Sequence, residues 1–95
     1  MPKPVALTLL SKPGCHLCED ARAVIDGVLR DLEDRSLEVS LEERNILDDP
    51  ELARVHAEDI PVVQINGRRH AIWRVDPVKL TAAIERAAAK RWRIH

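Results

Sequence analysis

Residues 5–10, Val-Ala-Leu-Thr-Leu-Leu, form a nearly continuous apolar run, the pattern of a strand covered on both faces. The run stops at Ser11-Lys-Pro-Gly14, a turn sequence. Leu17, Ala21, Val24, Ile25, Val28 and Leu32 then recur at helical spacing and predict an amphipathic helix over about residues 15–34, which Gly27 weakens without breaking. Leu37, Val39 and Leu41 alternate with Glu38, Ser40 and Glu42, as in a strand with one wet face. Asp49-Pro50 opens a short helix to about Ala57, with Asp as the cap and Pro at the first helical position. Residues 62–65 and 69–73 flank Asn66-Gly67, the strongest short hairpin signal. Asp76-Pro77 repeats the helix start, and Leu80, Ile84, Ala87, Ala88 and Arg91 mark a final helix.

The order β-α-β-α-β-β-α constrains the architecture. Two strands joined through a helix are expected to be parallel, and two joined by a tight turn antiparallel. The economical solution is an α/β fold: one mixed four-stranded sheet with helices on both faces, taking residues 1–95 as one domain.

Composition narrows the function. Apolar residues make up 45% of the 95-residue chain and charged residues 33%, an ordinary soluble globular balance. Phe and Tyr are absent, so the core must be aliphatic, and the stacking platforms that single-stranded nucleic acid needs are missing. Net charge is −1 with both signs intermixed, so no large surface attracts a polyanion. Lys90, Arg91, Arg93 and His95 form one basic cluster, read as favourable charge on the last turn of a helix. No apolar stretch approaches the ~20 residues of a membrane span, and residues 5–10 are too short for a signal-peptide core. A cytoplasmic monomer that binds neither nucleic acid nor membrane is the expectation.

The candidate chemistry is Cys15-His-Leu-Cys18, where the first strand hands over to the first helix. Cys15 there meets free backbone N–H groups and the positive end of the helix dipole, with Lys12 and His16 beside it. All three favour thiolate over thiol, and the thiolate is the attacking species. Cys18 lies one turn further in, on the stripe of Ala21 and Ile25, which suits a buried resolving thiol. A purely structural disulfide would close only a few residues and constrain the unfolded chain little. A metal site usually takes four ligands, and two thiols would need a dimer, His16 or an external thiol to complete it. In a reducing compartment the spacing favours redox chemistry, with no resident cofactor or metal expected. Ile60-Pro61, just before the third strand, is the one bond type where cis is readily reached. A cis bond there would turn the Ile60 carbonyl and N–H toward an extended peptide. His56 and His70 read as surface residues, and Trp73 as a packed strand end.

Ser11-Lys-Pro-Gly-Cys-His-Leu-Cys18, Asp59-Ile-Pro-Val-Val63, the Asn66-Gly67 hairpin and Trp73-Arg-Val-Asp76 together resemble the glutaredoxin family, in particular its compact bacterial members, within the thioredoxin-like superfamily. The resemblance implies a thioredoxin-like fold and dithiol exchange with protein or small-molecule disulfides through a redox-active Cys15–Cys18 pair. It makes Cys15 the nucleophile, Cys18 the resolving thiol and Pro61 a cis-proline. It also implies a substrate environment of Lys12, His16, Ile60, Pro61, Trp73, Arg74 and Asp76, in which Lys12 pairs with a glutathione carboxylate and Asp76 with its amine. The usual Cys-Pro-Tyr-Cys is replaced here, and Trp73-Arg74 stands where the family has the paired glycines that admit glutathione. Glutathione is therefore expected to be a poor co-substrate, leaving another low-molecular-weight thiol or a reductase as electron donor. The competing classes are a dimeric metal- or iron–sulfur-binding module and a redox-inert partner-binding domain.

Overall fold

The computed structural model describes residues 4–93, with side chains described through Lys90. Strands β1 (Val5–Ser11), β2 (Val39–Asn45), β3 (Val62–Ile65) and β4 (Arg68–Ile72) form one sheet in the order β2-β1-β3-β4. β1 and β2 are parallel, in register from Val5 opposite Val39 to Ser11 opposite Asn45. β3 runs antiparallel to β1 and to β4. Helices α1 (His16–Asp34), α2 (Pro50–His56) and α3 (Pro77–Arg93) complete the α/β fold. The expected order and strand directions are thus the ones observed, with one addition: a single 3-10 turn, Ile46–Asp48, between β2 and α2.

The apolar run of β1 is explained by its central place. Val5, Leu7 and Leu9 face a large cluster with Ala21, Ile25, Val28 and Leu32 of α1, Val63 of β3, and Leu80 and Ile84 of α3. Leu10 faces the opposite way, into a smaller cluster with Cys18, Ile46, Ile60 and Val62, against which Cys15, Leu52 and Ile72 pack. Each fully buried aliphatic side chain contributes about 1.5–3 kcal/mol. The division matters because the smaller cluster lies beneath the cysteines.

Local signals set the boundaries. Asp49 and Asp76 cap α2 and α3, each accepting two backbone N–H groups through Oδ1. Asn66 and Gly67 both have positive φ, 52° and 82°, as a two-residue hairpin turn requires. That tight turn starts β4 at Arg68, one residue earlier than its pattern suggests, and the strand ends at Ile72 because Trp73 leaves it with φ 66°. β2 also differs from expectation. It begins at Val39, leaving Leu37 outside the strand, and Leu41 is exposed. As the sheet's edge β2 is covered from one flank only, and its charged residues discourage pairing with another chain. The side chains of Arg91 and Arg93, and all of His95, lie outside the described residues, as do those of Trp92.

Candidate active site

The turn after β1 delivers Cys15 to the N-cap of α1. Its backbone is extended (φ −98°, ψ 110°), and its sulfur accepts the backbone N–H of Cys18 at 3.1 Å. A sulfur thereby occupies the place usually held by a Ser, Thr or Asp oxygen, next to the helix's unpaired donors. Gly14, at φ 74°, makes the approach possible, since a side chain there would be strained. Cys15 and Cys18 are joined as a disulfide with Cα atoms 5.2 Å apart. Their environments differ: Cys15 is partly exposed, whereas Cys18 is buried against Leu10, Ile46, Ile60 and Val62.

The other expected residues divide into groups. Ile60 is buried in the cluster under the cysteines, and the Ile60-Pro61 bond is cis. The Pro61 carbonyl accepts the backbone N–H of Trp73 at 2.8 Å, which joins the end of β4 to this segment. Trp73 is half exposed and donates its indole N–H to the Glu58 carbonyl at 3.0 Å. It is not a packed strand end; its ring lies over the loop before Pro61. Lys12 and His16 are exposed on either side of Cys15. Arg74 is exposed, and the Asp76 carboxylate is engaged in capping α3. No hydrogen bond joins Arg74 or Asp76 to the cysteines among the described residues.

Sequence reasoning did not single out Glu43, which anchors the loop from the other side. Its Oε1 accepts Arg22 Nε at 2.8 Å and its Oε2 accepts the buried Ser11 hydroxyl at 2.8 Å, with Arg22 Nη2 completing a forked pair. The hydrogen bond from Arg22 is the main cause holding the Glu43 carboxyl below its ordinary range, with Ser11 adding to it and burial opposing. The network ties β2, α1 and the residue just before Lys12. Its members also line a cleft with Lys12 and Pro13.

Two histidines are less exposed than their surroundings in sequence suggest. His56 is half-buried, with Nδ1 3.8 Å from an Asp59 carboxylate oxygen. His70 is half-buried beside α3, and burial, followed by the nearby Arg86 charge, lowers its pKa. No three His, Cys, Asp or Glu side chains converge on a common point among the described residues. A metal on the two thiols would thus need ligands from elsewhere. Nor is any helix among them long and apolar enough to cross a membrane.

Comparison with known proteins agrees with this geometry. An X. campestris protein solved by X-ray crystallography (target XcR50) is 25% identical, with TM-score 0.65 over 84% of this chain and 96% of its own. Protein Ne2328 of Nitrosomonas europaea, solved by NMR, is 26% identical, with TM-score 0.63 over 87% and 94%. Thioredoxin-2 of the malaria parasite is only 16% identical but superposes with TM-score 0.68 over 90% and 85%, a likeness of fold. No curated protein matches the sequence. The model of the glutaredoxin-like domain (DUF836) matches residues 6–85, which span the capping cysteine, the buried cysteine, Pro61 and the first half of α3. On that match over most of its length, and with a thioredoxin-like fold beneath it, the chain belongs to the glutaredoxin-like domain family.

Proposed function

We propose that this protein is a thiol–disulfide oxidoreductase in which Cys15 attacks and Cys18 resolves. The observation that carries the reading is the unequal placement of the two sulfurs. Cys15 caps α1 at a partly exposed position, while Cys18 is buried one turn further in. Helix N–H groups and dipole stabilise a thiolate at the first position, and apolar burial disfavours one at the second.

The reaction balances as two exchanges. The Cys15 thiolate attacks one sulfur of a substrate disulfide; that S–S bond breaks, and the leaving sulfur departs as a thiolate that takes up a proton. Cys18, losing its proton, then attacks Cys15 in the mixed disulfide and expels the second substrate thiol. The substrate gains two electrons and the chain is left as the Cys15–Cys18 disulfide, the state seen here. A low-molecular-weight thiol or a dithiol reductase returns the two electrons. Among the described residues, the backbone N–H and C=O of Ile60 have no hydrogen-bond partner, which supports docking of an extended substrate beside the cysteines. Glutathione is the poorer donor, because the Trp73 and Arg74 side chains crowd the approach of its backbone.

The test compares the wild type with Cys15→Ser and Cys18→Ser in the reduction of a protein disulfide by a dithiol donor. Cys15→Ser should fall to the uncatalysed rate. Cys18→Ser should accumulate a mixed disulfide detectable by mass. A mixed disulfide on Cys18 in the Cys15→Ser variant, with none in the reverse case, would contradict the assignment.

A further inference from the structure

Away from the cysteines, β4 and the C-terminal half of α3 enclose an open groove of about 530 Å³. Arg68, Arg69 and His70 of β4 face Arg86 and Lys90 of α3 across a floor that includes Ile65. Among the described residues Arg68, Arg69, Arg86 and Lys90 pair with no carboxylate, whereas Arg22, Arg35, Arg44 and Arg54 each do. The chain's near-zero net charge hides this concentration.

The strand is shaped to produce it. Three consecutive residues of a regular strand point to alternate faces. Here the register shifts: Val63 pairs with Ala71 and Gln64 with Arg69, leaving His70 as the extra residue of a bulge. Bulges re-aim side chains, and this one interrupts the alternation where Arg68, Arg69 and His70 all border one groove. His70 sits among the cations in a state that disfavours adding another charge, since burial and Arg86 both lower its pKa. Bringing like charges together is unfavourable, and an anion between them reverses the sign.

The occupant follows from the lining. Guanidinium groups fork onto phosphate oxygens, and a phosphate ester carries up to two charges on one group. The apolar floor calls for a body as well as a charge, and the volume lies within the range of small-molecule sites. Apart from the His70 imidazole, no aromatic side chain lines the groove among the described residues, so it lacks the Phe, Tyr or Trp stacking platform of a single-strand binder. We infer that this groove binds a small organic phosphate, two or more negative charges on a compact organic body, at a site separate from the cysteines. The separation follows from the fold. The hairpin turn is bonded to the start of β1, where Asn66 exchanges hydrogen bonds with Ala6, while Cys15 follows the other end of the strand. That is roughly 15–20 Å of strand.

The full chain should be titrated with ADP, with adenosine and pyrophosphate as its two halves, and with hexaglutamate as an acidic peptide. Binding is read by calorimetry and by the NMR titration of His70. ADP should bind more tightly than either half, and saturation should move the His70 midpoint to higher pH. Arg69→Ala and Arg86→Ala, both at exposed positions, should each weaken ADP by roughly tenfold, as expected for loss of a charge-assisted hydrogen bond. Arg54→Ala, paired elsewhere with Glu51, should leave it unchanged. Absence of saturable ADP binding, or binding indifferent to both groove variants, would overturn the inference. So would hexaglutamate binding more tightly than ADP, which would mark a protein-docking face instead.

Discussion

The sulfur of Cys15 caps the helix that carries Cys18, accepting the Cys18 backbone N–H at 3.1 Å. The two thiols are therefore unequal by construction. The cap has no helical neighbour on its N-terminal side and meets the helix's unpaired donors; the residue one turn on is enclosed by Leu10, Ile46, Ile60 and Val62. Partial exposure of one sulfur and burial of the other come from the same turn of helix.

The Arg22–Glu43–Ser11 network should make stability depend on acid. Its folded carboxyl titrates below the ordinary carboxylate range, so the stabilisation is complete above that range and is lost as pH falls through the depressed value. Both charged side chains are a third or more exposed, so solvent screens the pair and Glu43→Gln should cost only about 0.5–1 kcal/mol at neutral pH. Denaturant melts across pH should show the two proteins converging in acid. A constant gap down to pH 2 would mean that the carboxylate charge is not what Ser11 and Arg22 hold.

Trp73 should be replaceable by glycine at little cost in stability. Its φ of 66° is a backbone region that costs a side-chain-bearing residue roughly 1–2 kcal/mol, and glycine removes that cost. The variant loses the indole bond to Glu58, about 1 kcal/mol, so the net change should stay within about 1 kcal/mol. It should gain activity when glutathione and glutathione reductase supply the electrons. Unchanged glutathione-driven turnover in a folded Trp73→Gly protein would show that the ring is not the obstacle.

What the sequence displays well is what is local. Cys15 at a helix start, Asp49 and Asp76 before proline, and Asn66-Gly67 between apolar runs each act within four residues, and each is found in the expected role. The doubly covered β1 is visible for the same reason, as an unbroken apolar run. Glu43 is not visible, because Ser11 and Arg22 lie 32 and 21 residues away and meet it only through the β1–β2 register. Leu41 misleads because alternation says which face a side chain takes, not whether another element covers that face. Arg68 and Arg69 look like ordinary solvated charges until α3 brings Arg86 and Lys90 alongside.

Core truncation should separate folding from chemistry. Ile25 is fully buried between α1 and the sheet. Ile25→Ala should lose about 2–5 kcal/mol, from lost burial and the residual cavity. Below its melting transition the variant should keep the wild-type rate of thiol exchange, since the cysteines rest on the smaller cluster. An exchange rate that falls in step with stability, while the protein is still folded, would show that the two clusters act as one.

The central claim, that Cys15 is the activated thiol and Cys18 is not, is tested most directly by the rate of alkylation at each cysteine against pH in the reduced protein, resolved by mass. The account predicts that Cys15 reacts first, with a midpoint well below the ~8.5 of a free thiol, while Cys18 stays protected into the alkaline range. Cys18 reacting first, or both thiols titrating near the free value, would contradict it.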